Sequence, residues 1–231
     1  MSHRRAWLAA LAVLGCSDLA DSSGVVVALE LQLPVPPAVE PNDTLALIGY
    51  ALDINGDTLD TPVYWRTLDD TLLTIVDSIG LVTTSRTSGS PRVQARVGSL
   101  VSQLVTLTIR PGSDTLRLTV PDTIPVPAGD SVSDTLGAAV ESRNPAGGVS
   151  GTSILYEVVD TAAAQGKVRF VNGLTTYRAT TGPTGAPATP VVLYKITDPI
   201  PPMTVQVTVS ATRPSKTPVP GSPQQFTILF Q

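Results

Sequence analysis

A chain of 231 residues that is 42% hydrophobic but only 15% charged, with 21 prolines, can fill a core, and its composition suits neither a helical bundle nor charged disorder. Its 15 basic and 19 acidic residues leave a net charge of −4, which excludes nucleic acid as a partner because that polymer rewards clustered cations. The only histidine is His3 and the only cysteine Cys16, so Ser-His-Asp and Cys-His catalysis are excluded from the body of the chain, as are zinc, copper and non-haem iron sites.

The first element has a basic stretch (His3, Arg4, Arg5), an apolar run from Ala6 to Leu14, and Gly15 just before Cys16. That layout predicts a secretory signal helix over residues 1–15, too short to span a bilayer, which needs roughly 20 apolar residues. Val13-Leu14-Gly15-Cys16 resembles the bacterial lipobox. The resemblance implies cleavage before Cys16 and a diacylglycerol on its sulfur. Residues 16–24 then form the anchor and a short linker, and the membrane becomes a partner through the lipid. Ser17 directly after the anchor implies outer-membrane delivery under the sorting rule of enteric bacteria. Cleavage leaves 216 residues, the 231 less the first 15, which suits two domains.

Past the linker, apolar residues alternate with small polar ones, the period of half-buried strands. Leu116-Arg117-Leu118-Thr119-Val120, Val205-Gln206-Val207-Thr208-Val209-Ser210 and Phe226-Thr227-Ile228-Leu229-Phe230 keep it, as does the stretch from Val101 to Ile109 in most positions. Turn clusters punctuate the runs: Asn55-Gly56-Asp57, Ser88-Gly89-Ser90-Pro91 and Asn144-Pro145-Ala146-Gly147-Gly148. The fold class is therefore all-β, and Arg110-Pro111-Gly112-Ser113 divides it into residues 25–110 and 113–231. The stretch from Asn42 to Trp65 has a loose counterpart from Gly129 to Tyr156, as two like modules in tandem would. Thr181 to Pro187 reads as a long loop, and the segments around Pro199-Ile200-Pro201-Pro202 and Pro214 to Pro220 as stiff connections.

Four blocks of the first module occur in a familiar order: Val63-Tyr64-Trp65-Arg66-Thr67, Leu73-Thr74-Ile75-Val76-Asp77, Gly80-Leu81-Val82-Thr83, and Val93 to Gly98 leading into Val101 to Ile109. Together they resemble the bacterial immunoglobulin-like domains, group 2, found in intimin-like and invasin-like surface proteins. The resemblance implies an immunoglobulin-like sandwich whose structural core includes Val63, Trp65, Val76, Gly80 and Val82. Physically, Trp65 offers a large core anchor and Gly80 permits the turn before Leu81. The second module has Tyr156 near the place of the tryptophan and is immunoglobulin-like on architecture alone. The expected fold is two tandem immunoglobulin-like β-sandwiches behind a signal helix.

Two loops carry enough oxygen ligands for chemistry. No cofactor is expected; Asp53, Asn55 and Asp57 are weak candidates for calcium, being donors of the kind it takes, while Asn55-Gly56 reads more simply as a type I′ hairpin signal with exposed acids around it. Asp69 and Asp70 could serve a glycan-active enzyme accessory, which ranks third among the functional readings. Tyr156, Tyr177 and Tyr194 could form a contact patch or sit half in the core. The leading expectation is a non-catalytic, lipid-anchored lipoprotein of the cell envelope, at the outer membrane or cell surface. Its modules would serve adhesion or bind a protein or glycan ligand; the alternative is a structural stalk or assembly subunit.

Overall fold

The structure is a computed structural model that describes residues 24–159, 166–196 and 202–231. The signal helix and the lipidation of Cys16 lie outside the described residues. All regular structure among the described residues is β, and no helix there is long and apolar enough to cross a membrane.

Two hydrophobic clusters organise the chain. The first gathers Val39, Leu45, Leu47, Trp65, Leu73, Val82, Val93, Ala95, Leu107 and Ile109. Around it lie the antiparallel set Ala28–Gln32, Ile48–Leu52 and Thr58–Leu59, the set formed by Tyr64–Thr67 and Leu100–Val101 on Arg92–Val97, and the short ladder Leu45–Ala46, Leu81–Thr83 and Thr74–Val76. The second cluster draws on residues from Leu116 to Phe230. Its main sheet runs Thr123–Val126, Gln224–Phe230, Met203–Thr212, Ser153–Val159, Thr176–Thr180, and a smaller sheet holds Thr115–Leu118, Ala138–Arg143 and Ala146–Gly148. In both clusters an early segment runs parallel to the closing strand: Ala38–Val39 beside Thr108–Ile109, and Thr123–Val126 beside Gln224–Phe230. The two modules thus share a closure despite having no obvious common sequence there.

Period-2 patterning translates directly into burial where a strand is long. Along Met203–Thr212 every second residue from Met203 to Ala211 is buried, and Phe226, Ile228 and Phe230 do the same on the neighbouring strand. The run from Val101 to Ile109 is not one strand. Leu100–Val101 closes a hairpin on Arg92–Val97, Val105–Thr106 pairs further along the same strand, and Thr108–Ile109 leaves for Ala38–Val39. The break at Ser102 is stabilised by its side chain, whose Oγ accepts from Ala95 N at 3.0 Å in place of a backbone acceptor. Val101 and Leu104, each 48% exposed, are correspondingly on the outside.

Among the expected core residues of the first module, Trp65 and Val82 are buried and Val63 packs against the cluster. Val76 is a correction: it is 45% exposed, because Thr74–Val76 is an edge strand whose Ile75, one residue earlier, is the one that points to the cluster. Gly80 has a φ of 65°, and a Cβ there would stand 2.5 Å from Leu47 O and 2.7 Å from Trp65 Nε1. The glycine therefore does more than permit a turn; it leaves the room that the indole occupies.

Thr181 to Pro187, expected as a long loop, is instead a tight hairpin. Gly182 N donates to Ala186 O and Gly185 N to Gly182 O, and Gly185 O accepts from Val140 N at 2.9 Å, docking the turn on Ala138–Arg143. Tyr156 is fully buried, so it is no part of a contact patch; it meets Phe170 edge-on, and Phe170 in turn meets the half-buried Tyr177. The Tyr156 hydroxyl is buried without a hydrogen-bond partner, and burial pushes its pKa above the ordinary tyrosine value. Tyr156→Phe is accordingly expected to raise unfolding stability by about 1 kcal/mol, the desolvation cost of an unpaired hydroxyl. Guanidinium titration of the two proteins measures it, and a clear loss of stability would mean that the hydroxyl has a partner after all.

Candidate functional site

The most heavily constrained polar site lies where the two clusters meet, and it was not anticipated from sequence. Parallel pairing of Thr108–Ile109 with Ala38–Val39, in the register Ile109 opposite Val39, brings the next residues, Arg110 and Glu40, side by side. Glu40 is 0% exposed. Its Oε1 accepts from Arg110 Nε at 2.8 Å and Ser113 Oγ at 2.8 Å, with Arg110 Nη2 2.7 Å away in the same ion pair, and its Oε2 accepts from Ser113 N at 2.8 Å. From the second module, Arg213 lies 3.7 Å from the same carboxylate and donates through Nε and Nη2 to Ser113 O at 3.2 and 3.0 Å. Ser113 Oγ is also 3.4 Å from Thr152 Oγ1, and Arg110 Nη1 reaches Ser150 O at 3.4 Å.

One carboxylate thus organises both ends of the connecting segment. Burying it is costly, and the charge-assisted hydrogen bonds from Arg110, a backbone amide and a hydroxyl, together with the nearby charge of Arg213, offset that cost. Chemically the arrangement clamps: both Glu40 oxygens are occupied, so neither is free to abstract a proton or bind a metal. The signal in the sequence is slight. Each of the three charged residues directly follows a strand and precedes a proline (Glu40-Pro41, Arg110-Pro111, Arg213-Pro214), but nothing in the spacing joins positions so far apart.

The oxygen-rich loops are turned to internal use. Asp53 is buried, and its Oδ1 accepts from Asn55 N at 2.8 Å and Asp57 N at 2.9 Å, capping the loop it begins. The turn is not type I′. Gly56 N donates to Asp53 O and Asp53 N to Asp57 O, and Gly56 has φ 84° while Asn55 is not in the left-handed region, so this is a five-residue loop built on a type I turn. Among the described residues no group of three His, Cys, Asp or Glu side chains could hold a metal ion.

Asp69 accepts from Arg92 Nε at 3.0 Å, Arg92 Nη2 at 3.2 Å and Arg92 N at 2.8 Å. Hydrogen bonding to the Arg92 side chain, then to its backbone, holds the Asp69 carboxyl below its ordinary pKa of 3.8, the wrong direction for a general acid. Asp70 beside it is exposed. Since the folded pKa is the lower one, the contribution of Asp69 to stability is complete above pH 3.8 and is lost as pH falls through the native value. Asp69→Asn should therefore lower the Tm slightly at neutral pH and converge on the wild type in acid. A Tm difference that persists unchanged at acid pH would contradict this.

No protein-family model and no curated protein matches the chain. Among solved structures it is similar to domains 4 and 5 of the S-layer protein SbsC (14% identity, 89% of this chain and 98% of that one, TM-score 0.32). It is likewise similar to the Yersinia pseudotuberculosis adhesin InvE (17% identity, 88% and 58% covered, TM-score 0.38) and to the D00-D0 domain of intimin (14%, 88% and 100%, TM-score 0.32). The all-β, two-module class stands on the strand pairing and cores described above.

Proposed function

We propose that this chain is an exported, non-catalytic envelope lipoprotein that presents two bacterial immunoglobulin-like sandwiches, group 2 in the first module, as a joined surface for adhesion or ligand binding. The observation that carries the reading is the Glu40 clamp, because a module that only had to be tethered would not need a buried carboxylate shared between linker and second domain. Two further features support it. Of the carboxylates considered for hydrolysis or calcium, Asp69 is committed to Arg92 and Asp53 to its own turn. The stretch ending in Val13-Leu14-Gly15-Cys16 has the form of a lipoprotein signal, with outer-membrane or surface delivery and the membrane as a partner through the lipid.

Fractionation of cells producing the wild type and Cys16→Ser, with mass analysis of the N-terminus and surface proteolysis, tests the reading. A diacylated Cys16 on membrane-bound, protease-accessible protein is the expected result. Unmodified soluble protein with another N-terminus overturns the anchor. Self-association of the purified chain, with no ligand bound, would favour the stalk or assembly subunit over the binding module.

A further inference from the structure

Among the described residues four five-residue hairpin loops share one hydrogen-bond pattern, in which the first residue's N–H donates to the fifth residue's carbonyl and the fourth residue's N–H to the first residue's carbonyl. They begin at Asp53, Phe170, Gly182 and Arg213. The fourth position must be left-handed, and in three of the loops it is glycine: Gly56 (φ 84°), Gly173 (φ 79°) and Gly185 (φ 79°). In the fourth loop it is Lys216, at φ 69°. A side chain of this length in that region is uncommon and unfavourable relative to glycine, and such outliers gather where a site needs the side chain.

Lys216 lines a surface cleft of about 220 Å³ together with Arg110, Arg178 and Arg213. The opposite wall is Pro34-Val35-Pro36 of the first module, in which Val35 is 98% exposed. No carboxylate lines the cleft. Arg178 donates to Ser153 Oγ at 2.9 Å, and among the described residues no ion pair joins Arg178 or Lys216 to an acid. Two acids pair with the cleft's Arg213: Glu40, at 3.7 Å, which is buried with both oxygens taken, and Asp114, whose Oδ1 is 3.9 Å from Arg213 Nη2. On the far side of the Pro214-Ser215-Lys216 turn a second cavity of about 260 Å³ continues along Gln32 and Ile48 of the first module. A local excess of positive charge therefore lines a furrow that crosses both modules of an otherwise acidic chain.

We infer that this furrow binds an anionic glycan, with Lys216 and Arg178 contacting a carboxylate or phosphate on one sugar or polyol unit and the neighbouring cavity taking the next unit. Guanidinium forks match both oxyanions, and Lys216 adds a point charge. Neutral hydroxyls (Ser153, Thr212, Ser215) lie among the cations and the walls are prolines and valine, a lining suited to a hydroxylated chain that carries spaced charges. Because the walls come from different modules, Glu40 is a positioning residue for the site. The inference rests on the binding-module reading of function, but it requires neither export nor lipid.

The test is titration calorimetry of the purified full chain against polygalacturonate and, separately, a glycerol-phosphate polymer, at low and high salt. At least one polymer is expected to bind with an affinity that falls as salt rises. Lys216→Gly should weaken it about tenfold while raising the Tm, since the left-handed position then carries its favoured residue; Arg178→Gln should weaken it similarly at unchanged Tm. Binding of neither polymer overturns the proposal, as does equal binding by wild type and both variants. Preference for poly-glutamate over both polymers overturns it in favour of an acidic peptide. None of these results bears on the Cys16→Ser fractionation, so failure of the furrow and failure of the anchor are separable.

Discussion

Glu40→Ala is expected to destabilise the protein by about 3–5 kcal/mol, because the substitution removes a buried anion and leaves its cationic partners in place. The side chain is fully buried, and four donor contacts of 2.7 to 2.8 Å converge on it. Without it, Ser113 N and Ser113 Oγ lose their acceptor in a buried site, while Arg110 and Arg213, only 11% and 16% exposed, face each other uncompensated. The effect is expected in a particular form. Since Glu40 joins elements of both clusters, calorimetric melting of the variant should shift down and separate into two transitions, one per module. Glu40→Gln keeps the shape and one acceptor and should lose less. An unshifted single transition in Glu40→Ala would show that the modules are held by something other than this carboxylate.

Gly148→Ala is the second large effect. Gly148 lies on Ala146–Gly148 with the Thr181–Pro187 bridge hairpin laid across it, and a Cβ at this position would fall on the backbone of Thr184 and Gly185. Backbone atoms cannot rotate away as a side chain does. Either the hairpin lifts, breaking the Val140 N to Gly185 O bond, or the strand shifts under it. A loss of about 3 kcal/mol, the upper range for overpacking, is expected from chemical denaturation. Gly147→Ala, one residue earlier, meets no atom within 4 Å of its Cβ and isolates the strain of its φ of 150° from the steric clash. Equal losses in the two variants would remove the close approach as the cause.

The difference between these sites and the strands shows which kinds of information a chain carries locally. Val205 to Ser210 and Phe226 to Phe230 declare their buried face because a strand turns its side chains over every residue, so composition at alternate positions is enough. Trp65 could be assigned to the core from its bulk and its alternation with Val63. Val76 could not, since period 2 says which residues share a face but not which face meets the core, and at a three-residue edge strand Ile75 took that role. The loop at Asp53 was legible as a turn. Its type was not, because it depends on where the partner strand resumes: Leu52 pairs with Thr58, which makes five loop residues where a type I′ turn has two.

By itself, then, the sequence determined an all-β chain with an apolar period of two and no imidazole or free thiol beyond its first 16 residues, and it offered an N-terminal stretch that resembles a lipobox. Tertiary structure alone decided where its charges act. Glu40, Arg110 and Arg213 come together because a parallel strand pair aligns the first two and the end of the long Met203–Thr212 strand delivers the third. Lys216 and Arg178 share a cleft for the same reason. Alternation is a property of neighbours along the chain, whereas an ion pair or a cationic furrow depends on which strand ends the fold brings together, and no local pattern encodes that distance.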